Sequence, residues 1–508
     1  MKIMAFLKTL FLLIVVSGAV HGQSTSEYTF VTYNVENLFD ADEFAIYDDY
    51  KPSDKQGNVQ YTNIHILNKV KNAVHLLKQY NDGKGPDIIA MVEMESDYTP
   101  TKGKPRWSNE SEFLAQYANT TLEKMLGEEF DKIIADLPSE LLLLKGMIDG
   151  GMWDYEIAVG SSPKNDKGLP TTVQKNVIYS RFPILKEKTI AHPLQQARPI
   201  LETWIKVNGA ELAVFTNHWK SGAGSDKMEV IRLQNAKVLR DRLDELLVEN
   251  PNVDFVLAGD FNSDYNQKAR YDFPITAVND VLKSVGDEQS VANAETNAVY
   301  NLWYEYPIEK RGSDTYRGYW GTLMQIMISP GMYDGQGVSY VDNSFERGDF
   351  GFNTYSTSGE PRRWSSTFSG SGYSDHLPVS MKFKLSTGKE VELVNPSKND
   401  DAQWEAIPIN YTIPTDFYTA TEFTSADPTV NPDFFDEYFY LTATVTSNYK
   451  FVVNGTTYDV YTPSFRLNSV LKEIAGTDKE IDFYGRFSQF RGNWQFVVEA
   501  PNFITIKE

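Results

Sequence analysis

The chain has 508 residues, 41% of them apolar and 13% aromatic, enough for two or three domains with large cores and too much for a disordered chain. Its formal net charge of −21 opposes tight, non-specific binding to long polyanions, although a bound cation would invert the field locally. It contains no cysteine, which excludes disulfides, thiol nucleophiles, thiolate zinc sites and lipid attachment through an N-terminal Cys.

Lys2 and Lys8 precede the short apolar run Thr9–Val16, and the small residues Ser17, Gly18, Ala19 and Gly22 follow. That pattern predicts a secretory signal peptide over residues 1–22 and an exported protein, periplasmic or secreted. No other stretch is long and apolar enough to span a bilayer, so no stable membrane insertion is expected once the signal is removed.

Strands and helices then alternate. A strand ends near Asn34, and an irregular segment rich in Asp and Tyr runs to Tyr61. Thr62 is placed to cap a helix whose apolar face is Ile64, Leu67, Val70, Val74 and Leu77, stopped by Gly83, Gly85 and Pro86. A strand leads to Glu93. Residues 96–151 read as an insertion with helical content. Strands are predicted at 155–160 and 175–179, then a hairpin, 201–207 and 211–215, turned by Asn208-Gly209. A helix carrying Val230, Leu233, Leu239, Leu243 and Leu246 precedes the strand that ends at Gly259, and late strands fall at 321–329 and 378–383.

A polar stretch, residues 389–404, reads as a linker between residues 23–388 and a β-rich domain over 405–508. Strands at 439–446, 450–453, 457–461, 479–484 and 494–499, a turn at Asn454-Gly455 and one short helix at 469–474 suggest a small OB-like β-barrel. Tyr458, Tyr461, Phe465, Phe487, Phe490 and Trp494 are candidates for an aromatic binding face or for its core.

Five segments share one design, an apolar run bordering a cluster of carboxylate, carboxamide or imidazole groups: Tyr33-Asn34-Val35-Glu36-Asn37, Ile89-Ala90-Met91-Val92-Glu93, Thr216-Asn217-His218, Gly259-Asp260-Phe261-Asn262 and Ser374-Asp375-His376. Polar groups beyond buried strands sit on rigid supports at a loop-lined rim. These residue types hold hard divalent cations and move protons, so the pattern points to metal-assisted hydrolysis, with a phosphodiester the natural candidate bond. Ser374-Asp375-His376 is not a serine triad, because the three are consecutive and lack a nucleophile elbow.

Together, in this order over residues 29–385, these motifs resemble the endonuclease/exonuclease/phosphatase superfamily. The resemblance implies an α/β (α+β) four-layer αββα sandwich with Mg²⁺ or Mn²⁺ at one edge. It implies Glu93 as principal metal ligand, helped by Asn34, Glu36 and Asp375, with Asp260 and His376 orienting or deprotonating water. Asn217, His218 and Asn262 would bind phosphate and stabilise charge in the transition state, and Asn34 would assist substrate binding. The expected partner is a phosphate-ester substrate, nucleic acid among the candidates, and the expected state a monomer. One position departs from the family. Met324 stands where an Asp that pairs with the final histidine is usual, with Gln325 beside it as a substitute that orients a ring but supplies no charge. A phosphatase, a lipid-headgroup phosphodiesterase and a catalytically impaired binding protein are the alternatives.

Overall fold

The computed structural model describes residues 26–42, 51, 61–97, 109–399, 406–477 and 479–507, so the predicted signal peptide lies outside the described residues. The molecule is mixed α/β, with several sheets and a closed barrel near its C-terminus. In chain order the strands are β1 (Glu27–Leu38), β2 (Ile88–Glu95), β3 (Glu156–Val159), β4 (Gln174–Ser180), β5 (Ile190–His192) and β6 (Ile200–Val207). Next come β7 (Ala210–His218), β8 (Phe255–Asp260), β9 (Ser284–Val285), β10 (Val299–Asn301), β11 (Asp314–Tyr316) and β12 (Tyr319–Gly321). β13 (Met324–Ile328), β14 (Val338–Tyr340), β15 (Glu346–Arg347) and β16 (Val379–Leu385) follow.

One seven-stranded sheet runs β14-β16-β1-β2-β4-β3, with β15 also paired to β16. The other runs β5-β6-β7-β8-β13-β10-β9. Side chains alternate across each strand. Phe30, Ile88, Ala90 and Ile178 from the first sheet share one core with Val214, Val256, Ala258 and Ile326 from the second. The opposite face of the first sheet, including Ile89, Met91 and Tyr179, packs against Val70, Leu77, Leu143 and Met147. The opposite face of the second, including Phe215, Leu257 and Met327, packs against Ala236, Leu239 and Leu243.

The helix Asn63–Leu77 begins at Thr62, as predicted, and His65 Nδ1 accepts the Thr62 N–H at 3.1 Å. Its buried stripe differs in detail. Ile64 is exposed, and Ile66 and Lys69 occupy the stripe instead. Val230 on the helix Asp226–Glu249 is likewise exposed. Residues 110–149 form four short helices, matching the helical insertion. Asn208 and Gly209 adopt φ of 47° and 109°, the left-handed pair that a tight hairpin needs. The late strand predicted over 321–329 is split, with Gly321 ending β12 and β13 beginning at Met324.

Much of the predicted linker is anchored. Val391 N–H donates to Tyr333 O at 2.9 Å, and Val391 and Leu393 pack on the core between the sheets. Beyond it come β17 (Tyr418–Thr419), β18 (Tyr438–Ser447), β19 (Lys450–Val453), β20 (Thr456–Tyr461), β21 (Glu480–Phe490), β22 (Asn493–Val497) and β23 (Ile504–Ile506). Five of them close a barrel in the order β18-β19-β20-β22-β21-β18, and the helix Phe465–Ile474 connects β20 to β21. The six candidate aromatics divide. Phe487 is in the core, with Tyr458 and Trp494 packed on it, whereas Tyr461, Phe465 and Phe490 are exposed.

The barrel rests on the loop between β15 and β16. Arg486 lies 4.0 Å from the Tyr355 ring centroid and pairs with Asp436. Thr357 and Tyr438 share a hydroxyl–hydroxyl bond of 2.7 Å, and the Phe368 and Trp494 rings lie 5.9 Å apart. Among the described residues no helix is long and apolar enough to cross a membrane.

Candidate active site

β1 and β2 run parallel, as do β7 and β8, so Asn34 and Glu93, in the C-terminal halves of their strands, lie on the same side as His218 and Asp260, which end theirs. His218 is level with Asp260 across the β7–β8 ladder, and the loop before β16 brings His376 alongside. The backbone leaves regular strand geometry at this rim. Glu36, Glu93 and Asn262 have φ of 48°, 64° and 49°. A left-handed conformation costs a non-glycine residue of order 1–3 kcal/mol and survives only where its surroundings enforce it. Gly259 has φ of 125°, and a Cβ there would lie 2.0 Å from Asn217 O. Only glycine lets β8 approach β7 this closely.

Asn34 ties the carboxylates together. Its Nδ2 donates to Glu93 Oε1 at 3.0 Å and to Asp260 Oδ2 at 3.2 Å, while its Oδ1 accepts the Glu36 N–H at 2.9 Å. His218 Nε2 lies 3.6 Å from Glu93 Oε1 and 3.7 Å from Asp260 Oδ2. His376 Nε2 lies 3.8 Å from Asp260 Oδ2 and 3.7 Å from Asp375 Oδ1. Glu93, Asp260 and His376, separated by up to hundreds of residues in sequence, therefore face one another.

The other predicted residues are placed differently. Glu36 turns to a second cluster, where its Oε1 accepts from Arg363 at 3.0 Å and its Oε2 from the Trp364 N–H at 2.8 Å. Arg363 also reaches Asp375 Oδ2 at 3.3 Å. Asn217 points to the opposite face of its strand from His218. Its amide donates to Phe215 O at 2.9 Å and accepts from the Trp219 indole at 3.0 Å. Asn262 donates its backbone N–H to Asp260 Oδ1 and its amide to Trp219 O, at 2.8 and 3.1 Å. Ser374 Oγ donates to Asn34 O at 2.7 Å, a structural use that agrees with rejecting a serine triad.

Met324 lies opposite Asp260 in the β8–β13 ladder and is buried in the core between the sheets. Gln325 does not replace the expected Asp. It sits on the other face of β13, donating to Ser263 O and accepting from Asn301. The expectation that Gln325 orients the ring is thereby corrected, because the pleat sends successive side chains to opposite faces. A carboxylate from elsewhere stands near His376. Asp314 on β11 accepts the Leu323 N–H at 3.0 Å, and its backbone bridges His376. Gly321 leaves room for it, since a Cβ there would lie 2.4 Å from Asp314 Oδ2.

These surroundings drive the two imidazoles apart. Burial opposes a charge on His376, but Asp375, Asp260, Asp314 and Glu93 outweigh it and raise its pKa to about 9. Burial, Arg198 and His376 push His218 well below the ordinary imidazole range. At neutral pH His376 is a cation and His218 a neutral ring. Burial, with Asp375 adding repulsion, raises Glu93 to about 7, and burial raises Asp260. Two basic residues that the motif reading missed also act here. The charge of Arg198 acts on Glu93, Asp260 and His218. Lys69 is buried with its Nζ unpartnered, 4.5 Å from the Trp364 ring centroid, and its charge is coupled to Glu36, Asp375 and Glu93. Its place on the buried stripe of its helix, three after Ile66 and four before Ala73, is the sequence signal that marks it.

The donor set fits a divalent cation. Glu93, Asp260 and His218 each offer a ligand atom, all within 4.8 Å of one another. Residues 153–385 match the model of the Endonuclease/Exonuclease/phosphatase family. No curated protein matches the chain. Among solved structures, the endonuclease/exonuclease/phosphatase from Beutenbergia cavernae DSM 12333 is 14% identical, covering 71% of this chain and 72% of its own at a TM-score of 0.38. Truncated Caenorhabditis elegans TDP2 is 14% identical over 70% of this chain and 97% of its own, with a TM-score of 0.35. An endonuclease/exonuclease/phosphatase family protein from Bacteroides thetaiotaomicron is 13% identical over 71% and 99%, with a TM-score of 0.36. The matched stretch, residues 153–385, supplies His218, Asp260, Asn262 and His376, and it is in this stretch that the chain is similar to the endonuclease/exonuclease/phosphatase family.

Proposed function

We propose that this protein is an exported, divalent-metal-dependent phosphoesterase that cleaves phosphodiesters in the manner of a nuclease. The observation that carries this reading is the meeting of Glu93, Asp260, His218 and His376, with one imidazole neutral and the other charged. In the same reading residues 23–388 are the catalytic domain, the two sheets and their outer helices a four-layer sandwich, and residues 405–508 an OB-like accessory barrel. The signal-like N-terminus supports export, and the working state is a monomer.

Glu93, Asp260 and His218 would hold Mg²⁺ or Mn²⁺, the mixed oxygen and nitrogen set suiting Mn²⁺ well. An ion held there would supply Lewis acidity toward a phosphoryl oxygen and toward water. Asn34 fixes the two carboxylates through its amide. His376, as a cation, donates to a phosphate oxygen or protonates the leaving oxygen. Asp260 accepts a proton from water on the other side of the phosphorus, while His218, a neutral ring, keeps its one lone-pair nitrogen for the ion. Arg198 adds positive charge where the pentacoordinate phosphate becomes more negative.

Asp314 favours an active enzyme over an impaired binding protein. Met324 cannot support an imidazolium, but Asp314 is among the charges that raise His376. The test is a panel of plasmid, single-stranded DNA, RNA and a bis-aryl phosphodiester, with Mg²⁺, Mn²⁺ or chelator. Metal-dependent turnover abolished in Glu93→Ala is the expected result. Hydrolysis of phosphomonoesters alone would make the protein a phosphatase, and no turnover on any substrate would end the catalytic reading.

A further inference from the structure

A second group of carboxylates meets at the edge of the catalytic domain. Glu288 on the helix Glu288–Ala292, Glu305 after β10 and Asp342 after β14 each bring one oxygen within 4.8 Å of the others. Neutral donors from three directions hold them. Glu288 accepts from the Tyr333 hydroxyl and the Ser397 N–H, each at 3.1 Å. Glu305 Oε1 accepts from the Tyr340 hydroxyl at 2.5 Å and the Phe345 N–H at 2.9 Å. Asp342 Oδ2 accepts from the Val394 N–H at 2.7 Å and the Asn343 amide at 2.9 Å.

Those bonds leave a gap in the pairing. Glu305 Oε2 and Asp342 Oδ1 are buried and have no hydrogen-bond partner. A buried polar atom left unpaired costs about 1–3 kcal/mol, and more when it is charged. Other carboxylates are the charges that act most on Glu288 and Glu305, and among the described residues none of the three has a basic ion-pair partner. Three acids fixed by neutral donors, two of them with a buried oxygen that has no partner and none with a cationic side chain paired to it, form a site that lacks only its positive charge.

We propose that Glu288, Glu305 and Asp342 bind a hard divalent cation, calcium, as a structural clamp. An irregular set of carboxylate oxygens suits calcium, which takes six to eight oxygen ligands, better than magnesium, which demands a regular octahedron with several waters. Glu305 follows a strand of one sheet and Asp342 a strand of the other, while Val394 and Ser397 belong to the segment leading to the barrel. The ion would join the two sheet edges and that segment. The site is separate from the catalytic cluster, so its test does not depend on catalysis.

The test uses full-length protein stripped with chelator. Calcium stoichiometry is read by equilibrium dialysis, terbium luminescence is excited through the nearby Tyr333 and Tyr340, and thermal midpoints are compared with and without calcium. Glu305→Gln and Asp342→Asn keep the shape of the site and remove one charge each, and Glu93→Gln serves as the control for the catalytic site. The expected result is that Glu305→Gln and Asp342→Asn each lose one bound calcium, the terbium signal and the calcium-dependent rise in midpoint, all of which Glu93→Gln retains. Affinity should fall by more than the roughly 10–100-fold that loss of a mere supporting residue costs. If Glu305→Gln folds poorly, Asp342→Asn decides alone. Unchanged stoichiometry and midpoint shift in a folded variant would overturn the proposal. So would a wild-type protein that binds no calcium here and becomes more stable on acidification, because the trio then shares protons instead of an ion.

Discussion

Glu93 should limit the stability of the metal-free protein. Its carboxylate accepts from Asn34 at 3.0 Å, but burial and the nearby Asp375 raise its pKa from the ordinary 4.5 to about 7. The native state therefore keeps a proton between pH 4.5 and 7 that the unfolded chain has released, so stability falls as pH rises through that window. Above pH 7 the full cost applies, about 3 kcal/mol at 1.36 kcal/mol per pH unit. Glu93→Gln removes the ionisation while keeping the side chain's length and an oxygen for Asn34. In chelator at pH 8 the variant should be more stable than wild type by up to about 3 kcal/mol, and near pH 4.5 the two should match. Saturating Mn²⁺ should erase the advantage by stabilising the wild-type carboxylate, and phosphodiesterase activity should fall more than about 100-fold. Urea unfolding followed by tryptophan fluorescence from pH 4.5 to 9, with chelator or Mn²⁺, measures each term. A variant less stable than wild type at pH 8 in chelator, or a difference independent of pH, would refute the reasoning.

Asp314→Asn should lower the pKa of His376 by on the order of one pH unit and move the alkaline limb of the pH–kcat profile down, with little change in KM. An unmoved limb would mean that Asp375 and Asp260 suffice. The charged state of His376 itself contributes stability that is complete below about pH 6.5 and is lost as pH rises through about 9, so His376→Gln should flatten the pH–stability curve across that interval. Gly259→Ala meets both a φ of 125° and an oxygen 2.0 Å from the added Cβ, and should cost more than about 3 kcal/mol in urea unfolding. Arg486→Met removes the nearer of the two guanidinium partners of the half-buried Asp436 and breaks the stack on Tyr355, which should destabilise the barrel interface by about 1–3 kcal/mol, read as a lowered midpoint or earlier proteolysis within residues 350–373.

The strands that carry the site were legible because each is a short apolar run ending in polar residues. The five clusters on them were legible because each sets carboxylate, carboxamide or imidazole groups beside such a run. Within a cluster, sequence adjacency misleads. Asn217 and His218 are neighbours, yet the pleat turns His218 toward Glu93 and Asp260 and Asn217 toward Phe215 and Trp219. Gln325 fails as a substitute for the same reason. Glu36 stands two residues from Asn34, which on a regular strand gives a shared face, but its φ of 48° breaks the alternation and sends its carboxylate to Arg363. Asp314 and Arg198 carried no local signal, since each reaches the site from a segment whose own pattern says nothing of His376 or Glu93.

What the sequence determined by itself is the set of strands, the identity of the groups at their ends and the class of chemistry those groups are suited to, because hydrophobic periodicity and side-chain functionality are local properties of the chain. The tertiary structure alone decided which carboxylates lie close enough to share a cation, which imidazole is surrounded by acids and which carboxylate stands near His376 in place of Met324. Those depend on distances of a few ångströms between segments far apart in sequence, and on a burial that converts such distances into shifts of proton affinity.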